Sequence, residues 1–247
     1  MDIDWLHKIP RLDVADIVTA CLTKTADEKK MPSHQGFYYP KEGGYQEVFD
    51  AILRPVAPLI ECNAPAQIIE RSGSHLVVNG TYHAKRVINT APWHSLTDSP
   101  LFPSHIKAGI AALRHNSIVV SLYEEEYAPP AHWTYIPGLQ ERHHRNFYIH
   151  NFAPHSDSRG LYRETNRARW QAGNGEIFSH TNHYAYPLPT VGWARTIGQI
   201  LDWARPLNLH GLGRWGQWEY FNSDVCIYQA MQLAGRLGHE IKKIPDA

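Results

Sequence analysis

The chain has 247 residues, 43% hydrophobic and 19% charged, enough to bury one large core or two interleaved ones. Its 24 basic and 24 acidic residues cancel, which argues against a nucleic-acid or membrane-surface partner. No apolar run approaches the ~20 residues a spanning helix needs, and no apolar segment follows the acidic opening Met1-Asp2-Ile3-Asp4, so neither a membrane span nor a secretory signal is expected.

In chain order, Asp13–Leu22 predicts a helix, with Asp13 as N-cap and Val14, Ile17, Val18, Cys21 and Leu22 on one stripe. Gly36–Gly44 (GFYYPKEGG) is a turn-rich aromatic connector. A second helix runs from Tyr45 to about Leu53, limited by Pro55 and Pro58. Ala66–Glu70 and His75–Val78 flank Arg71-Ser72-Gly73-Ser74, a hairpin signal, and Thr81–His83 and Arg86–Asn89 continue as short strands. Ile106–Leu113 reads as a helix and Ser117–Tyr123 as a buried strand. Trp133–Ile136, Asn146–Phe152 and Gly175–Tyr184 read as further strands, and Gly192–Trp203 as an amphipathic helix closed by Pro206. Leu207–Leu209 is a short strand and Ser223–Leu237 the final helix. The fold class is mixed α+β with meandering strands rather than strict βαβ alternation.

Between those last two elements lies Gly211–Asp224, GLGRWGQWEYFNSD. Its G-x-G-x-x-G at Gly211, Gly213 and Gly216 lacks the context of a dinucleotide fingerprint, which needs a helix opening at the glycines and a ribose-binding acid about 20 residues on. Gln217–Phe221 instead reads as an extended aromatic run, with the helix opening at Ser223-Asp224. Gly213, Arg214 and Gly216 would let backbone approach a phosphate or ribityl chain, or they merely make a turn. Asp224 either caps a helix or opens one whose dipole favours an electron-rich ligand edge.

Other chemistry is sparse. The three cysteines, Cys21, Cys62 and Cys226, have neither a close pair nor metal spacing, so reduced thiols of a cytoplasmic protein are expected. Histidines cluster at His143-His144 with His150 and His155, and at His180-x-x-His183, without the helical spacing and neighbouring acids of a metal site, so no metal is expected. Ser95, Ser117 and Ser179 lack a nucleophile elbow.

Several segments, in sequence order, resemble the flavin-dependent amine oxidase superfamily, nearest the branch of UDP-galactopyranose mutase and protoporphyrinogen-oxidase-like proteins. They are Asp4-Trp5-Leu6 with Ile9-Pro10-Arg11; Phe37–Gly44, similar to an F-x-Y-P-x-x-G-G signature; Ala66–Ile69 with Val87–Pro92, similar to paired strands ending in a V-I-x-T-x-P turn; Leu161–Glu164; Tyr184–Pro187; and Gly213–Asp224. The resemblance implies FAD as cofactor, with Thr90, Pro92, Gly213, Arg214, Gly216, Trp218 and Asp224 facing it. It implies Arg163 and Tyr186 as catalytic-site residues toward a small-molecule substrate, a nucleotide sugar among the compatible classes. It further implies cap-domain helices over residues 1–58, flavin-layer strands over 59–98, a substrate domain with an antiparallel sheet over 99–206, and a flavin-contacting segment over 207–247.

No glycine fingerprint after a strand occurs in the first half of the chain. The resemblance therefore covers the C-terminal half of such a protein, without its N-terminal βαβ unit. The dinucleotide-binding part is then expected on a partner chain or in a missing N-terminal half. The competing reading is a non-catalytic remnant that binds a sugar nucleotide or a protein.

Overall fold

The structure, a computed structural model, describes residues 13–23, 38–124, 129–138, 140–152 and 160–242. The segments Asp4–Leu6 and Ile9–Arg11, together with Phe37 and His155, lie outside the described residues. The chain divides into two compact units, each assembled from two stretches: Cys62–Ile118 with Asn182–Ala247, and Ile3–Glu61 with Val119–Thr181.

The first unit opens with an antiparallel meander of β1 (Ile69–Ser72), β2 (His75–Val78) and β3 (Tyr82–Ala84). Gly73, at φ +59, turns β1 into β2, and the Asn79-Gly80 pair, both at positive φ, turns β2 into β3 as short hairpin loops require. Asn79 also ties down the incoming chain: its side-chain oxygen accepts from the Gln67 and Ile68 amides, and its nitrogen donates to the Pro65 carbonyl. Strand β4 (Val87–Asn89) pairs in parallel with β10 (Leu209–Gly211), Val87 opposite Leu209 and Asn89 opposite Gly211. Helices α3 (Ser104–Ala112) and α5 (Trp193–Ala204) pack together, and their buried Ile106, Ile110, Ile197 and Ile200 join Ile69, Leu76, Trp93, Leu209 and Trp218 in one core. Each such side chain removed from water contributes about 1.5–3 kcal/mol. The fully buried Ser99 hydroxyl accepts from the Ile69 amide at 2.9 Å.

The second unit carries α1 (Val14–Thr23), α2 (Gln46–Leu53) and most of a five-stranded sheet of order β6-β7-β8-β5-β9. These strands are β5 (Arg114–Glu124), β6 (Trp133–Tyr135), β7 (His143–Tyr148), β8 (Gly160–Asn166) and β9 (Glu176–Leu188); β5 and β9 each run from one unit into the other. Asp13 caps α1, its carboxylate accepting from the Ala15 amide at 2.8 Å. The predicted apolar stripe of α1 exists as a helix face, yet Val14, Ile17, Val18 and Leu22 are all exposed. Helix α2 ends at Leu53, where Pro55 and Pro58 admit only a 3-10 continuation, Arg54–Leu59.

Three expectations are corrected. The strand expected over Asn146–Phe152 stops at Tyr148, because its ladder with β8 ends there opposite Leu161, and Ile149–Phe152 forms one helical turn, α4. The strand expected at Leu207–Leu209 begins at Leu209, because Pro206 directs Arg205–Leu207 into a 3-10 turn and Asn208 adopts φ +60. The glycine segment is not a plain turn: Gly213–Gly216 forms one turn of helix, α6, before the final helix α7 (Ser223–Lys242).

Candidate functional site

The C-terminal ends of β4 and β10 build a shared crest. After Asn89 the chain turns through Thr90-Ala91-Pro92, and after Gly211 it enters α6. Asn89 holds both turns. Its carbonyl accepts from the Leu212 amide at 2.9 Å, while its buried side chain donates to the Ala91 carbonyl and accepts from the Ala91 amide. Two glycines allow the turns to touch. A methyl on Gly216 would strike the Asn89 carbonyl, and one on Gly211 would strike the Gly216 carbonyl. Thr90 and Ala91 remain exposed at the top.

The bend itself is held under strain. Gly213 sits at φ +71, reached from an extended Leu212, and Trp218 sits at φ +55, unusual for a bulky side chain. Glycine takes that region freely, but a residue such as Trp218 held there stores on the order of 1–3 kcal/mol and persists only where the surroundings over-determine it. Here the Gln217 amide donates to the Gly213 carbonyl, and the Gln217 side chain accepts from the Gly213 amide at 3.0 Å. The Glu219 amide donates to the Arg214 carbonyl, and the Trp218 ring is 1% exposed.

Arg214 is committed to the protein. Nε and Nη2 both donate to the Phe221 carbonyl, at 2.8 and 2.6 Å, and Nη1 donates to the Ala185 carbonyl at 3.1 Å. Its guanidinium lies against Tyr186 and Tyr220, whose rings stack 5.0 Å apart. Arg214 thus ties the arm after the bend to the end of β9. Asp224 is exposed in the first turn of α7.

Beneath the crest lies an aromatic box. His94, two residues after Pro92, packs on Trp218 (centroids 5.3 Å) and His115 (5.6 Å), and His115 stacks on Tyr184 (4.3 Å). Burial, and then the neighbouring imidazole of His115, hold His94 below its ordinary 6.5, against a raising hydrogen bond with the Leu113 backbone. Burial and His183 act the same way on His115. A small cavity of about 150 Å³ lies nearby, bounded by Gly211 and Gln217 of the bend region, Leu201 of α5, and Leu233 and Arg236 of α7.

Arg163 belongs to the second unit. As alternation along β8 requires, it points away from its neighbour Glu164. Glu164 is half of a buried pair, its Oε2 accepting from Arg145 Nη2 at 2.6 Å and from Nε at 2.7 Å. Arg163 instead lines a cleft of about 260 Å³ with Tyr123, Gln140, Arg142, Trp170 and Gln171. Its guanidinium lies 4.4 Å from the Tyr123 ring centroid, and its Nε is buried without a hydrogen-bond partner among the described residues. Its charge is one cause, after burial, of the lowered pKa of His143.

The structure therefore brings Thr90, Pro92, Gly213, Arg214, Gly216, Trp218 and Tyr186 together in one unit, with Asp224 starting the next helix and Arg163 in the other unit. Gly213, Gly216 and Trp218 face the core, whereas Thr90, Tyr220 and Asp224 are exposed. Sequence reasoning missed Tyr220, His94, Tyr123 and Trp170. Tyr220 had one available signal, its place two residues after Trp218 in an aromatic run. The others become neighbours only through tertiary pairing. Among the described residues no group of three or more His, Cys, Asp or Glu side chains is placed to hold a metal ion, and no helix is long and apolar enough to cross a membrane.

No family model matches the chain, and no curated protein matches it in sequence. Solved structures do match. A reduced UDP-galactopyranose mutase superimposes with a TM-score of 0.69 at 16% identity, over 88% of this chain and 55% of the mutase. A protein assigned as a protoporphyrinogen oxidase from Exiguobacterium sp. 255-15 gives 0.53 at 14% identity, over 77% of this chain and 51% of its own. A CLA-producing fatty acid isomerase from P. acnes gives 0.61 at 14% identity, over 78% of this chain and 52% of its own. This chain has the mixed α+β fold of the matching portion of these proteins and spans about half the length of each.

Proposed function

We propose that this chain supplies the flavin-facing and substrate-binding part of an FAD-dependent oxidoreductase or mutase. The observation that carries the reading is the crest where β4 and β10 end together, kept open to solvent at Thr90 and Ala91 and closed behind by Gly211, Gly216 and Trp218. Ligands of open parallel sheets bind outside the carboxyl ends of the strands, and β4 and β10 pair in parallel.

The same pair supports a partner. Two parallel strands of three residues each fall short of what stands alone, and parallel sheets are normally covered on both faces. Ile88, in the middle of β4, is 45% exposed. A dinucleotide-binding βαβ unit, on a partner chain or in residues preceding these, would extend this sheet and hold the pyrophosphate of FAD.

The residues present fit a flavin. The Thr90–Pro92 backbone would meet it, Asp224 and the first turn of α7 would favour its electron-rich edge, and Gly213, Gly216 and Trp218 would give the crest its shape. Arg214 would hold the arm that carries Tyr220. When bound, the flavin supplies the redox or nucleophilic chemistry. Arg163, with an unpaired buried donor in a cleft that also holds Arg142, would bind an anionic group of a substrate such as a nucleotide sugar. The free thiols Cys21, Cys62 and Cys226 are consistent with a reducing, cytoplasmic setting.

Mixing the chain with a Rossmann-type dinucleotide-binding partner and FAD tests this reading. A bound flavin spectrum that survives gel filtration, and is lost when Gly216→Val collapses the crest, is expected. Failure of every such reconstitution to retain flavin overturns the proposal.

A further inference from the structure

The two edges of the five-stranded sheet are built differently. Edge strand β6 has three residues, Trp133–Tyr135, and Pro137 follows two positions later. Edge strand β9 has thirteen, Glu176–Leu188, and among the described residues it has a neighbour on one side only. Exposed edges are normally blunted by shortness, proline, lysine or bulges, because an open row of N–H and C=O groups is a template for another strand. Strand β6 is short. Strand β9 carries no proline, lysine or arginine from Glu176 to Tyr186. At its open end the consecutive residues Ile177 and Phe178, which point to opposite faces, are 62% and 58% exposed. Both side chains stand open to solvent, while Glu176 beside them is half-buried and accepts from the Tyr123 hydroxyl at 3.2 Å with one of its two carboxylate oxygens.

We infer that Glu176–His180 pairs with the same segment of a second copy, antiparallel, about a two-fold axis through Phe178. The charge pattern selects this arrangement. The two-fold sets Phe178 against its counterpart and Glu176 of each copy opposite His180 of the other, an aromatic pair flanked by two acid–imidazole pairs. Parallel in-register pairing would instead bring glutamate beside glutamate and histidine beside histidine, which is unfavourable. Pairing about a two-fold is also closed, ending in a dimer rather than a fibre. A five-residue seam is small, in the class of interfaces burying under roughly 1,200 Å² in total, so the dimer is weak and concentration-dependent. This inference uses the sheet edge alone and does not depend on the flavin reading.

Sedimentation velocity of the full chain from about 1 to about 200 µM spans the affinity expected of such a seam. The wild type is expected to shift from monomer to dimer across that range. Phe178→Lys is expected to stay monomeric with an unchanged circular dichroism spectrum. In a background with Cys21, Cys62 and Cys226 changed to serine, Phe178→Cys is expected to form an intermolecular disulfide under mild oxidation. Tyr135→Cys, on the blunted edge, is not. A wild type monomeric throughout, a dimer that survives Phe178→Lys, or cross-linking no faster through Cys at 178 than at 135 would each overturn the inference. The cross-link decides the matter even where the lysine variant fails to fold.

Discussion

The indole N–H of Trp93 donates to the carbonyl of Gly216 at 2.9 Å, although 123 residues separate them in sequence. The bond fastens the residue just after the Thr90–Pro92 turn to the last residue of α6, so the two halves of the crest are set by one buried contact. Trp93 itself is 0% exposed. Trp93→Phe removes the donor and shrinks the ring, leaving a buried carbonyl unpaired, and should cost about 1–3 kcal/mol for the lost bond with a further cavity cost. Gly216→Ala, which drives a methyl into the Asn89 carbonyl, should cost about 3 kcal/mol. Gly235→Ala, on the exposed side of α7 with open space around it, should instead stabilise by up to about 1 kcal/mol. Urea melts of the three variants give the comparison, and a neutral Gly216→Ala would contradict the close packing.

Arg214→Lys should behave as a poor replacement. An ammonium cannot reproduce three donors on the Phe221 and Ala185 carbonyls while lying flat against Tyr186 and Tyr220. A loss of about 1–3 kcal/mol is expected, with faster backbone amide exchange over residues 217–222. Protection there equal to the wild type would show that the arm is held by something else.

The Arg145–Glu164 pair should be asymmetric to deletion. Both side chains are mostly buried, at 19% and 11% exposure. Burial alone would raise the Glu164 pKa, but the hydrogen bond with His144, together with the charge and hydrogen bonds of Arg145, outweighs it and lowers the value. Arg145→Met leaves this mostly buried carboxylate with His144 as its remaining partner and should cost about 3 kcal/mol. The double variant Arg145→Met with Glu164→Leu should recover much of that loss, read by thermal or urea unfolding.

Acid should weaken the fold in two windows. His94 and His115 are held below 6.5 in the folded chain, so the unfolded chain takes up their protons first. Their contribution is fully present above 6.5 and is lost as pH falls through the lowered folded values. Glu164 adds a second loss below its ordinary 4.5, as pH falls through its own depressed value. His115→Gln removes one of the charges acting on His94 and should flatten the slope of stability against pH just below 6.5. An unchanged slope would rule out coupling between the two rings.

Local signals survived into the structure where the local chain decides the outcome. Asp13 caps its helix, the proline pair ends α2, Gly73 turns the first hairpin, and the last helix begins at Ser223 as read. The crest was legible only in part, because glycine spacing marks a bend but does not say what it packs against. The parallel pairing of Val87–Asn89 with Leu209–Gly211 joins segments about 120 positions apart and leaves no periodic trace in either. Trp218 at φ +55 contradicts its own local preference, and a tertiary core enforces it. Arg163 could be placed on a strand from alternation, but the Tyr123 ring beneath it comes from a different strand 40 residues away.

Because each unit is stitched from two separate stretches of chain, a nick at any bond between Cys62 and Thr181 divides both units at once. Neither fragment would then contain a whole folding unit, and contacts between the two stretches of a unit would have to form between separate chains. Two complementary fragments expressed together, rather than either alone, are the form in which a split version of this chain would regain structure.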